Sequence, residues 1–117
     1  MKKKILSISY DEPLLATRQM ILQNAGYGVV SALGFTEAIA KSKGQKFDLA
    51  IMGHSIPMTD KTVMAKTIKQ DCHCPIVSIR RHGYEPMPES DYSIDAIDGP
   101  EALLVTIRQV LKEKKKK

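Results

Sequence analysis

A chain of 117 residues, 43% hydrophobic and 26% charged, has the size and balance of one globular domain with its own core, and two cysteines do not make a disulfide-stapled scaffold. Its apolar runs are too short to cross a bilayer, and its basic start, MKKKILSIS, is broken by Ser7 and Ser9 with no small-residue cleavage site beyond, so membrane insertion and a signal peptide are set aside and a cytoplasmic location is expected. The net charge of +5 comes from the ends, where eight of the 18 basic residues lie within Lys2–Lys4 and Lys112–Lys117, while residues 5–111 carry ten basic against 12 acidic side chains, which argues against a nucleic-acid binder.

Lys4 to Ser9 alternates apolar and polar residues and predicts a first strand. Asp11, Glu12 and Pro13 then open a helix with an acidic cap and a proline near the first helical position. Leu14, Leu15, Arg18, Met20, Ile21 and Leu22 carry it on a 3.6-residue period, and Asn24 to Gly26 ends it. Tyr27 to Ser31 reads as a second strand and Thr36 to Lys43 as a second helix, with Thr36 as its cap and Gly44 as its stop. The run Leu49–Met52, preceded by Phe47 and Asp48, is continuously apolar, the pattern of a central strand buried on both faces. A third helix spans Thr59 to Gln70 with Val63, Met64, Thr67 and Ile68 on one face. Pro75 to Ile79 is a fourth strand. Arg80 to Ser90 holds Gly83, Pro86 and Pro88, which oppose an ordinary helix. Asp91 to Asp95 is a short fifth strand, and Pro100 to Lys112 a closing helix capped near Asp98 or Gly99. Residues 113–117 form a lysine-rich tail expected to be disordered. Alternating strands and helices imply a doubly wound α/β domain with a five-stranded parallel sheet and right-handed crossovers.

ILSISYDEPLL, FDLAIMGHSIPMTD, CPIVSIR and DYSIDAIDGPEALL follow one another in an order and spacing that resemble the signature regions of response-regulator receiver domains of two-component, phosphorelay-type signalling systems. The resemblance runs from about Lys3 to Lys112. It implies the flavodoxin-like receiver fold, strand order 2-1-3-4-5, with the helix between the fourth and fifth strands short or missing, because only 14 residues separate Arg80 from Asp95.

Carried over residue by residue, the family's chemistry fits poorly. The phosphoacceptor Asp is matched by Gly53, and the acidic pair that holds Mg²⁺ by Tyr10 and Asp11. The hydroxyl at the end of the fourth strand is matched by Arg80, and the fifth-strand Lys and following Pro by Asp95 and Ala96. Tyr92 matches the switch aromatic, with core packing as its plainer reading. Gly53 offers no nucleophile, and Asp11 is the one remaining candidate metal ligand, so Mg²⁺ binding is expected to be weak or absent. Asp48, at the far end of the strand, and Asp60, beyond Pro57, do not substitute. Arg80 is a candidate partner for Asp11 or Asp95, in effect moving the cation one strand over.

Cys72, His73 and Cys74, with His82 and His54 in nearby loops, offer soft ligands, but neighbouring residues on an extended chain point to opposite faces and a closed zinc site needs four ligands. His54 reads as a solvated loop histidine. The expectation is therefore a pseudo-receiver, not an enzyme, either standing alone or forming part of a longer chain. It would act as a phosphorylation-independent module that engages a signalling protein such as a histidine kinase or an effector. A switchable receiver with a non-standard acceptor is one alternative, and a nucleic-acid binder using its basic tail is another.

Overall fold

The computed structural model describes residues 2–84, 87 and 89–115. Five strands, β1 (Lys4–Ser9), β2 (Gly28–Leu33), β3 (Leu49–Met52), β4 (Ile76–Arg80) and β5 (Tyr92–Asp95), pair in parallel in the order β2-β1-β3-β4-β5. The connections carry the helices α1 (Glu12–Asn24), α2 (Gly34–Ser42) and α3 (Met58–Asp71), while a 3-10 turn at Ala96–Asp98 leads from β5 into α4 (Gly99–Lys115). This is the doubly wound sheet expected from the alternation of elements.

The period of two along each strand sorts the core into two layers. Leu6 and Ile8 of β1, Ala50 and Met52 of β3 and Ile76 of β4 pack with Ala38 of α2 and Met64, Ala65 and Ile68 of α3. The alternate residues Ile5, Leu49, Ile51, Val77 and Ile94 pack with Leu22 of α1 and Leu103, Ile107, Val110 and Leu111 of α4. All four residues of β3 are fully buried, as a strand covered on both faces requires.

Several local expectations change. β2 runs on to Leu33, so α2 starts at Gly34, whose φ of 88° suits a glycine, and Thr36 does not cap it. The Leu33 backbone N–H instead donates to the Glu37 carboxylate of the first helical turn at 2.9 Å. On α1 the buried stripe is Leu15, Arg18 and Leu22, with Leu14 and Met20 facing outward. On α3 it is Lys61, Met64, Ala65 and Ile68, with Val63 outside. The last helix continues through Lys115, while Lys116 and Lys117 lie outside the described residues.

Between Arg80 and Tyr92 the described residues form turns and no helix; Pro86 and Pro88 lie outside them. The connection is held at its end by Asp91, whose N–H donates to the Ile76 carbonyl and whose carboxylate accepts the Ile76 N–H at 2.7 Å while pairing with Lys69. Met87 is 3% exposed and packs into the layer formed with α2 and α3, anchoring the connection to the core. Met87→Ala is expected to cost about 2–4 kcal/mol of unfolding free energy in urea titration, the range for emptying a buried methionine site.

Candidate functional site

Parallel strands end together, so their carboxyl ends and the loops that follow gather at one edge of the sheet, where doubly wound folds bind ligands. Tyr10 and Asp11 follow β1, Gly53 follows β3, Arg80 closes β4 and Asp95 closes β5. Arg80 and Asp95 are direct partners in the β4–β5 register.

Each acid at this edge already has a structural task. Asp11 caps α1, its Oδ1 accepting the Leu14 N–H at 3.1 Å. Asp60, in the first turn of α3, accepts the Tyr10 hydroxyl at 2.7 Å. Burial, that bond and the Asp60 charge push the Tyr10 phenol well above its usual range. Asp95 accepts the Ile97 N–H at 3.0 Å and bonds His82 Nδ1 at 2.9 Å, and these contacts, the backbone one foremost, hold its carboxyl below the ordinary value. The Arg80 guanidinium lies 3.9 Å from Asp95 and donates to Ser93 Oγ at 3.0 Å, while Asp11 takes no part. Asp48 sits at the opposite edge, accepting the Lys4 N–H.

Two cations that sequence reasoning did not assign to the site stand in it. Arg18 is 8% exposed; its Nη1 donates to Ser7 Oγ and to the Ile8 carbonyl, each at 3.1 Å. A Cβ added to Gly53 would lie 2.8 Å from Arg18 Nη2 and 3.3 Å from the Ile8 carbonyl, so the guanidinium occupies the space into which a side chain at position 53 would project. Lys61 is 4% exposed, and its Nζ donates to Ser78 Oγ and the Ile79 carbonyl, each at 3.0 Å. Ser7 shares the α1 and α4 face of the sheet with Ile5, while Ser78 lies opposite Val77 on the α3 face. The cations therefore approach the edge from opposite faces. Among the described residues neither makes an ion pair with a carboxylate. Burial lowers the Arg18 pKa to about 10. Burial and then the Arg18 charge lower that of Lys61 to about 8.

Hydroxyls complete the shell. Ser55 Oγ accepts the Tyr10 N–H at 3.0 Å and lies 3.2 Å from Ser9 Oγ, which in turn accepts the Asp11 N–H at 3.0 Å. Cys72 is tied to the backbone of Phe47, and Cys74 is buried. Among the described residues no three His, Cys, Asp or Glu side chains converge as a metal site would require. No described helix is long and apolar enough to cross a membrane. Tyr92 packs against the layer formed with α1 and α4.

No protein-family model matches the chain. Over 70 residues it is 31% identical to the alkaline phosphatase synthesis transcriptional regulatory protein PhoP of Bacillus subtilis (strain 168). That alignment takes in 60% of this chain and 29% of the relative, so the chain spans well under half of the relative's length. A response regulator receiver domain protein (CheY-like) from Methanospirillum hungatei JF-1 superposes with a TM-score of 0.84 at 26% identity, covering 99% of this chain and 98% of that one. A two-component response regulator from Clostridium difficile shares the fold, with a TM-score of 0.82 at 23% identity and coverage of 95% and 97%.

The contact between residues 18 and 53 makes their substitutions interdependent. Gly53→Ala is expected to destabilise the protein by about 1–3 kcal/mol, as overpacking does, and by clearly less in an Arg18→Ala background, a non-additivity that a double-mutant cycle in urea would measure. Lys61 has the opposite pH signature to a paired lysine. Its folded pKa of about 8 lies below the ordinary 10.5, so the folded state binds fewer protons in that window and stability rises with pH across it. Wild-type stability relative to Lys61→Met should therefore increase from about pH 8 upward in parallel denaturation series.

Proposed function

We propose, from the premise that this chain is a response-regulator receiver (CheY-like) domain, that it works as a phosphorylation-independent interaction module. In this reading the domain holds one conformation at its sheet edge and presents it to a signalling partner, a kinase or an effector protein, without passing through a phosphoryl-aspartate. The observation that carries the proposal is the Arg18 guanidinium 2.8 Å from the Cβ position of Gly53. The position matching the acceptor has no side chain, and the space one would enter is held by a positive charge already bonded to Ser7 and Ile8.

The surrounding groups support the same reading. A hard divalent cation needs several oxygen ligands, preferably anionic. At this edge Asp11 is committed to a helix cap and Asp60 to Tyr10, while two buried cations would repel the metal. The Arg80, Asp95 and His82 cluster adds a pair of contacts that persists without a bound phosphate.

The test is incubation with acetyl phosphate and Mg²⁺ followed by intact-mass analysis. The wild type is expected to acquire no stable phosphoryl adduct, and neither is Gly53→Asp, because an acceptor carboxylate restored alone would face Arg18 with no metal site beside it. A stoichiometric adduct on the wild type would overturn the proposal and favour a receiver with a non-standard acceptor.

A further inference from the structure

We infer that the cavity on the α3 side of the sheet edge binds a small phosphate monoester with an apolar or aromatic body, reversibly and without covalent transfer. The cavity measures about 320 Å³, at the lower end of small-molecule sites, and is lined by the β3–α3 loop, the start of α3 and the end of β4. Its charged walls are of one sign. Lys61 forms the buried floor, and Arg80 and Arg81 stand at the side. Arg81 is exposed, its side chain makes no hydrogen bond or ion pair among the described residues, and no carboxylate belongs to the described lining. The first turn of α3 adds to this field. Its cap, Pro57, supplies no side-chain acceptor, so early N–H groups of the helix are open beside Pro57 and Met58, both in the lining.

The choice of ligand follows from charge and from the remaining walls. Lysine and two arginines concentrated in one recess suit a dianion better than a monoanionic carboxylate, and guanidinium forks match phosphate oxygens in pairs. The rest of the lining is apolar or aromatic: Ile56 is buried, while Met58 and Tyr84 are 45% and 63% exposed, a surface that a body carried by the phosphate would cover. Lys61 keeps one N–H beyond its bonds to Ser78 and Ile79, so it is able to bond a phosphate oxygen without giving up its structural contacts.

This inference rests on the reading of an acid-depleted crevice, yet the two fail separately. Phosphorylation appears as a covalent mass adduct, whereas the ligand proposed here exchanges and is removed by dialysis. The experiment is a titration of the ¹⁵N-labelled full chain with phenyl phosphate, followed by amide shifts, alongside inorganic phosphate, benzoate and phenol. Saturable shifts are expected at residues 54–58, 61, 80, 81 and 84, with affinity that falls as salt is raised and that drops about tenfold in Arg81→Ala, the order of one charge-assisted contact. Arg81 is exposed, so that variant should keep its fold, and its unperturbed amide spectrum verifies this. Equal affinity for benzoate overturns the dianion assignment, and equal affinity for inorganic phosphate overturns the organic body. Equal affinity for phenol overturns anion recognition. Absence of shifts, or undiminished affinity in both Arg81→Ala and Lys61→Met, overturns the site.

Discussion

The Arg18 guanidinium, seated where a side chain at position 53 would project, sets the character of this molecule. A guanidinium 8% exposed needs acceptors for its donors, and it finds them in Ser7 and the Ile8 carbonyl at the middle of the sheet edge. It reaches them because Asp11 fixes the start of α1, which places position 18 about two helical turns later on the same buried stripe as Leu15 and Leu22. A Cβ at position 53 would sit 2.8 Å from Nη2, so a side chain there requires the guanidinium to shift. Arginine on one element and glycine on another are therefore coupled, and the glycine gives clearance, with no positive φ to require it.

Lys61 repeats the arrangement on the opposite face. Among the described residues both cations are solvated by dipoles alone, from Ser7, Ser78 and the carbonyls of Ile8 and Ile79, and their mutual repulsion is one cause of the lowered Lys61 pKa. Carboxylates at the same edge are spent on the α1 cap, on Tyr10 and on the Ile97 N–H, His82 and Arg80. Two buried cations at one edge, neither paired with a carboxylate among the described residues, concentrate positive charge there.

Most of the fold was legible in the chain. The continuous apolar run of β3, the acidic cap and proline of α1 and the order of alternating elements led to the observed sheet, because those signals report burial and backbone geometry directly. That position 53 carries no side chain was legible. What fills the space beside it was not. Arg18 was counted on the period of α1 with no task at the edge, Lys61 was not singled out, and on α3 the inward face was read with Val63, which is exposed, and without Lys61, which is buried. Side-chain length explains the failure. A long flexible stem lies along apolar surface while its head reaches a polar edge several ångströms away, and periodicity registers only the charge. The serines of β1 and β4 were the available signal. Ser7 and Ser78 interrupt strands that are otherwise apolar, and buried hydroxyls in a sheet require partners. Arg80 was placed near Asp95 from sequence, yet that contact, at 3.9 Å and partly exposed, lies at the rim.

The helix-free connection after β4, among the described residues, borders the same edge. Where turns follow Arg80 among the described residues, Arg81 and Tyr84 stand at the mouth of the crevice and Lys61 forms its floor. Met87 fastens the returning chain to the α3 side of the core, so the opening does not loosen the sheet beneath it. The two apolar layers occupy the strand middles, and the altered groups lie at the carboxyl ends. Chemistry at the edge is thereby separable from the packing that maintains the fold, which is how a framework that superposes at a TM-score of 0.84 on a receiver domain protein holds two buried cations at its edge.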